Sequence, residues 1–89
     1  MDVTHDASGR RFSTIADGHA CEVDYRLADG VMTITHTGVP SAVGGRGVAG
    51  ALTRAALEHA RAEGWKVVPA CSYAISWMNK HPEFDDLRA

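Results

Sequence analysis

Two Asp-Gly pairs, Asp17-Gly18 and Asp29-Gly30, do most to limit what this chain can become. Asp-Gly accepts the positive φ angles that two-residue hairpin turns demand. Between the pairs, Cys21, Val23, Tyr25 and Leu27 alternate with Ala20, Glu22, Asp24 and Arg26, the period-two pattern of a strand with one buried face. The β-rich run from Val31 to Val39 sets Val31, Thr33, Thr35 and Thr37 on one face and Met32, Ile34 and His36 on the other. A weaker strand, Phe12 to Ala16, comes first. The expectation is a three-stranded antiparallel meander behind a loose N-terminal segment over residues 1–9.

The texture changes at Gly44-Gly45-Arg46-Gly47. Over residues 48–63, Val48, Ala51, Leu52, Ala55, Ala56 and Ala60 recur at helical spacing, while Arg54, Glu58, Arg61 and Glu63 point elsewhere. Gly64 stops this helix. Lys66-Val67-Val68-Pro69 reads as a short strand, and residues 72–81 as a second helix that Pro82 ends. The order β-β-β-α-β-α predicts an α+β (mixed α/β) domain whose last strand returns parallel to the third. At 89 residues the chain makes one domain, 1–89. A chain of this size buries only about two-thirds of its unfolded surface, so a sizeable ligand is expected in a surface groove.

Composition removes several classes of function. Nine Lys+Arg against 11 Asp+Glu give a net charge of −2, a poor match to nucleic acid, whose phosphates need clustered cations. No stretch nears the ~20 apolar residues of a membrane span. Met1-Asp2-Val3-Thr4-His5-Asp6 has neither the basic start nor the apolar run of a targeting segment. A cytoplasmic protein, monomeric or weakly dimeric, is expected. Cys21 and Cys71 show no zinc spacing, so no metal is expected. Without a targeting segment they read as two free thiols, with a single disulfide between them as the alternative.

A strand, a glycine-rich loop and a helix N-terminus together can bind phosphate. Glycines let backbone approach the oxygens, and the first helical turn supplies N–H donors at the positive end of the dipole. The same glycines can also merely join two elements. Gly50 lies inside the predicted helix, where it costs about 1 kcal/mol relative to Ala, so something must offset it, such as the close approach of a ligand or a packed strand.

Gly44-Gly45-Arg46-Gly47-Val48-Ala49 resembles the acetyl-CoA pyrophosphate loop of the GNAT superfamily of acetyltransferases. The wider chain resembles that superfamily's small stand-alone YjdJ-type branch. His36-Thr37-Gly38-Val39 precedes the loop, Lys66-Val67-Val68-Pro69-Ala70-Cys71 follows the helix, and His81-Pro82-Glu83-Phe84 lies near the end. Two positions depart from the pattern: Gly44 stands where Arg or Gln is usual, and Gly38 where an acid is common.

The resemblance implies an N-acetyltransferase with acetyl-CoA as its cofactor and an amine, on a small molecule or a protein, as its acceptor. The cofactor would lie between the third and fourth predicted strands. Backbone groups of Ile34, Thr35, His36 and Thr37 would bond the pantetheine arm, and Gly44, Gly45, Arg46, Gly47, Val48 and Ala49 would hold the pyrophosphate. Transfer needs a neutral amine, a polarised thioester carbonyl and a protonated leaving thiolate. Deprotonating a lysine-like amine of pKa about 10.4 costs about 4.6 kcal/mol at pH 7.

Cys71 falls beside the expected acetyl group and beside the N–H groups that open the second helix, a place where thiols react. It can take the acetyl, protonate the thiolate, or pack as a small apolar residue. His36 is a candidate base or a half-exposed strand residue, and Tyr73 a candidate acid or a core residue. His81 reads as a cap on the second helix, Cys21, Trp65 and Trp77 as packing. Arg54 and Arg61 read as solvated, with Arg54 within reach of a cofactor phosphate. A non-catalytic acyl-CoA-binding module is the alternative, and a small interaction domain with an idle loop the third reading.

Overall fold

The computed structural model describes all 89 residues, Met1–Ala89. Strands β1 (Thr4–Asp6), β2 (Arg11–Ala16), β3 (His19–Ala28) and β4 (Val31–Gly38) run antiparallel in succession. A 3₁₀ turn (Ser41–Val43) and helix α1 (Val48–Glu63) lead to β5 (Lys66–Pro69), which pairs parallel with β4 as expected. Helix α2 (Ser72–Asn79) and a 3₁₀ segment (Pro82–Leu87) complete a mixed α/β fold around a five-stranded sheet of order β1-β2-β3-β4-β5.

Both Asp-Gly pairs close hairpins. Ala16 faces His19 across Asp17 (φ 48°) and Gly18 (φ 77°), and Ala28 faces Val31 across Asp29 (φ 53°) and Gly30 (φ 74°). Positive φ at both central residues matches the right-handed strand twist. Four strands, not three, precede α1, and the N-terminal segment is not loose. Thr4, His5 and Asp6 pair with Ser13, Phe12 and Arg11. A three-residue strand carries no readable alternation; this one is held by its partners. The His5 ring stacks on Phe12 with centroids 4.1 Å apart, and its Nε2 lies 2.6 Å from the Tyr25 hydroxyl.

Both helices pack on one face of the sheet. Phe12, Cys21, Val23, Tyr25, Met32, Ile34 and Val67 meet Leu52, Ala56, Leu57 and Ala60 of α1 and Ala74, Trp77 and Met78 of α2. The other face, with Arg11, Ile15, Arg26 and Val68, is open to solvent. The second helix ends at Asn79, two residues earlier than the periodicity indicates, and the His81 Nδ1 lies 2.7 Å from the Trp77 carbonyl as a cap on its last turn. No helix is long and apolar enough to cross a membrane.

One irregularity shapes everything near the end of β4. Tyr25 opposes Ile34 and Asp24 opposes His36, so Thr35 is an extra residue without a partner, a β-bulge. A one-residue insertion exchanges the faces of all that follows. Thr37, opposite Val23, therefore joins Met32 and Ile34 on the helical face, and His36 turns to the open face beside Asp24 and Glu22. This corrects the alternation expected from the sequence, which puts Thr37 and Ile34 on opposite faces.

Candidate active site

Pairing between β4 and β5 stops at Ile34 and Pro69, with the Ala70 N–H donating to the Ile34 carbonyl at 2.9 Å. Beyond Ile34 the edge of β4 has no strand beside it. At this opening lie the glycine loop and the start of α1. Together they border a groove of ≈ 490 Å³ lined by Thr37, Val39, Val43, Gly44, Gly45, Gly47, Val48, Ala49, Gly50 and Tyr73.

The loop turns through left-handed backbone at Gly45 (φ 83°) and Gly47 (φ 76°), where a side chain would be strained. Gly47 caps α1 without a side chain, and Ala51 is the first residue of the helix to donate, to the Gly47 carbonyl at 3.0 Å. The N–H groups of Gly45, Arg46, Gly47, Val48, Ala49 and Gly50 have no acceptor within the chain. A run of unpaired amides at the positive end of a 16-residue helix is a ready anion receptor. Gly50 owes its presence to packing: a Cβ there would lie 3.3 Å from Trp77 Nε1 and 3.6 Å from the Tyr73 hydroxyl.

Across the opening, Cys71 is the N-cap of α2, its sulfur accepting from the Ala74 N–H at 3.5 Å and lying 3.6 Å from Thr37 Oγ1. It is half-buried and free of any disulfide. Tyr73 is not a core residue. It is 37% exposed and lines the groove, and the burial it does have raises its pKa, so the phenol keeps its proton at neutral pH.

The structure thus gathers Thr37, Cys71, Tyr73 and the loop backbone from Gly44 to Ala49, and leaves the side chains of other expected site residues outside. Ile34 is fully buried and its carbonyl is taken by Ala70. Thr35 is the bulge, its hydroxyl 3.4 Å from the Asp24 carbonyl. His36 lies across the sheet from the groove, its Nε2 3.0 Å from Glu22 Oε2. The Arg46 guanidinium pairs with Asp17 in the β2–β3 turn. Arg54 turns away from the loop: it lies over Trp77 and Phe84 at 5.4 and 5.3 Å and bonds Glu83 at 3.2 Å. Asp17 and Glu22, the partners of Arg46 and His36, are not marked out in the sequence because tertiary pairing sets both contacts. No cluster of His, Cys, Asp and Glu is arranged to hold a metal ion.

A sequence model of the GCN5-related N-acetyl-transferase family matches residues 11–87. Among solved structures, the chain is similar to the NMR solution structure of a GCN5-like N-acetyltransferase candidate from Staphylococcus aureus. The two are 30% identical over 99% of this chain and 87% of that one, with a TM-score of 0.79.

Proposed function

Because the chain belongs to the GCN5-related N-acetyltransferase family, we propose that it transfers an acetyl group from acetyl-CoA to an amine, in the manner of the small YjdJ-type branch. The observation that carries this is the run of unpaired amides from Gly45 to Gly50. Had those groups been bonded within the chain, no diphosphate could be held there. Their number and their glycine conformations fit an anion with several oxygens.

In this reading Gly44 to Ala49 hold the diphosphate and Arg46 adds a cation. The pantetheine arm follows the uncovered edge of β4 over Thr35 to Thr37. Acetyl-CoA is the acyl-donor substrate, and supplies an acyl carbon activated by its bond to sulfur. Tyr73, protonated and 37% exposed in the groove, donates to the departing sulfur. Thr37 lines the groove beside it, with the Cys71 sulfur next to the Thr37 hydroxyl. A cytoplasmic setting and a monomer or weak dimer belong to the same proposal.

A second reading, a non-catalytic acyl-CoA-binding module, is favoured by one observation: apart from Tyr73, no residue lining the groove is ionisable. Calorimetry with acetyl-CoA and desulfo-CoA, followed by turnover against a panel of amines, separates the two. Binding with turnover supports the enzyme, and binding without turnover supports the module. Binding of neither compound removes both.

A further inference from the structure

Glu22 and Gly38 are cross-strand partners on β3 and β4, and His36 stands two residues before Gly38 on the same open face. A Cβ at position 38 would fall on the Glu22 carboxylate and 2.9 Å from the His36 Nε2. The missing side chain at 38 is therefore what lets the carboxylate reach the imidazole, 3.0 Å away. The adjacent acid on β3 that shares this face, Asp24, is held by Arg11 through two bonds of 2.6 and 3.0 Å, which leaves Glu22 for His36.

An ionised carboxylate only accepts, so the ring nitrogen facing it carries the proton. Neutral His36 is thereby fixed as the Nε2–H tautomer, with the Nδ1 lone pair free. The ring is well exposed, its side chain at 54% against 21% for Glu22. It sits one residue past the bulge, on the stretch of β4 that β5 no longer covers. At an uncovered sheet edge the two faces meet. A group bonded along that edge would have Thr37 on its groove side and His36 on its open-face side.

We infer that Glu22 is a positioning residue that holds His36 as the base for an acceptor amine arriving over the open face of the sheet, a role that rests on the acyl-transfer reading above. The lone pair of the amine nitrogen forms the bond to the acyl carbon while its proton passes to Nδ1. The carbon–sulfur bond breaks with its pair on sulfur, which takes the Tyr73 proton. His36 then releases its proton to water and Tyr73 regains one.

The test uses the whole chain, acetyl-CoA and the amine panel. Glu22→Ala and Gly38→Ala, the second displacing the carboxylate without removing it, should each lower kcat about tenfold or more, and His36→Ala on the order of 100-fold. The KM for acetyl-CoA should stay within about twofold of wild type, as for groups that act on the transition state. Glu22→Gln, which keeps an acceptor oxygen, should lose less than Glu22→Ala. The ¹⁵N spectrum of His36 should show the Nε2–H tautomer in wild type and a mixture in Glu22→Ala.

Unchanged kcat in Glu22→Ala and Gly38→Ala, or an Nδ1–H tautomer in wild type, overturns the inference. The amide signals of Gly45 to Gly50 separate this from the wider reading. If they ignore acetyl-CoA, the acyl-transfer function itself fails. If they respond while no amine is acetylated, the base role falls and the binding module stands.

Discussion

Thr37 Oγ1 lies 3.6 Å from Cys71 Sγ, across the line where β4 and β5 part. The contact exists only because the bulge at Thr35 turns Thr37 toward the helices. Cys71 also caps α2 through Ala74, and sulfur is a weak acceptor. Cys71→Ala should therefore cost only about 0.5 kcal/mol, near the low end for caps, and Cys71→Ser should lose nothing. Urea denaturation measures both. Direct transfer to an amine further predicts no acetyl adduct on Cys71 by intact-mass measurement. A stable adduct absent from Cys71→Ala would make the thiol the acceptor.

Gly47 turns at φ 76°, and a Cβ added there would meet nothing within 4 Å, so any cost of substitution comes from the backbone alone. Gly47→Ala should destabilise by about 1–2 kcal/mol and weaken acetyl-CoA binding at least tenfold, because the neighbouring amides lose their common aim. Urea titration and calorimetry read the two effects separately.

Gly50→Ala should fail to stabilise α1. Helix propensity alone favours the change by about 1 kcal/mol, but the new methyl would meet Trp77 Nε1 at 3.3 Å. Trp77 has little freedom to yield, since it stacks on His81 at 3.6 Å and packs against Phe84 at 5.6 Å. A lower thermal midpoint with altered indole fluorescence is the expected outcome, and a clear rise would refute it.

Asp17 competes for Arg46. Both are more than half exposed, with side chains at 59% and 56%, and exposed pairs contribute about 0.2–1 kcal/mol. Asp17→Asn should therefore tighten acetyl-CoA binding by up to about fivefold, and Arg46→Ala should weaken it and flatten its salt dependence. Calorimetry at two salt concentrations decides this.

Acid should loosen the N-terminal strand. Burial, then the His59 ring 4.4 Å away, lowers the His5 pKa below its usual 6.5; Arg10 adds to this, and Asp6 and Glu63 oppose it. A base whose folded pKa is depressed binds fewer protons folded than unfolded. Its stability contribution is complete above 6.5 and is lost as pH falls below it. Urea midpoints should decline from about pH 7 to about pH 5, and His5→Leu should flatten that slope.

The hairpins, both helices and the parallel return of β5 could be read in the sequence because each rests on local chemistry. Asp-Gly supplies positive φ, alanine and leucine recur at helical spacing, and glycine or proline stops each run. The same locality made the glycine loop legible as a candidate phosphate site. Which face Thr37 and His36 take, that Glu22 reaches His36 over Gly38, that Asp17 holds Arg46, and that Thr4–Asp6 is a strand were decided by tertiary structure. Alternation along β4 continues unbroken through Thr35, so nothing local marks the bulge. Its place is set by register against β3, a relation between residues distant in the chain, and one extra residue there assigns every later side chain to a face.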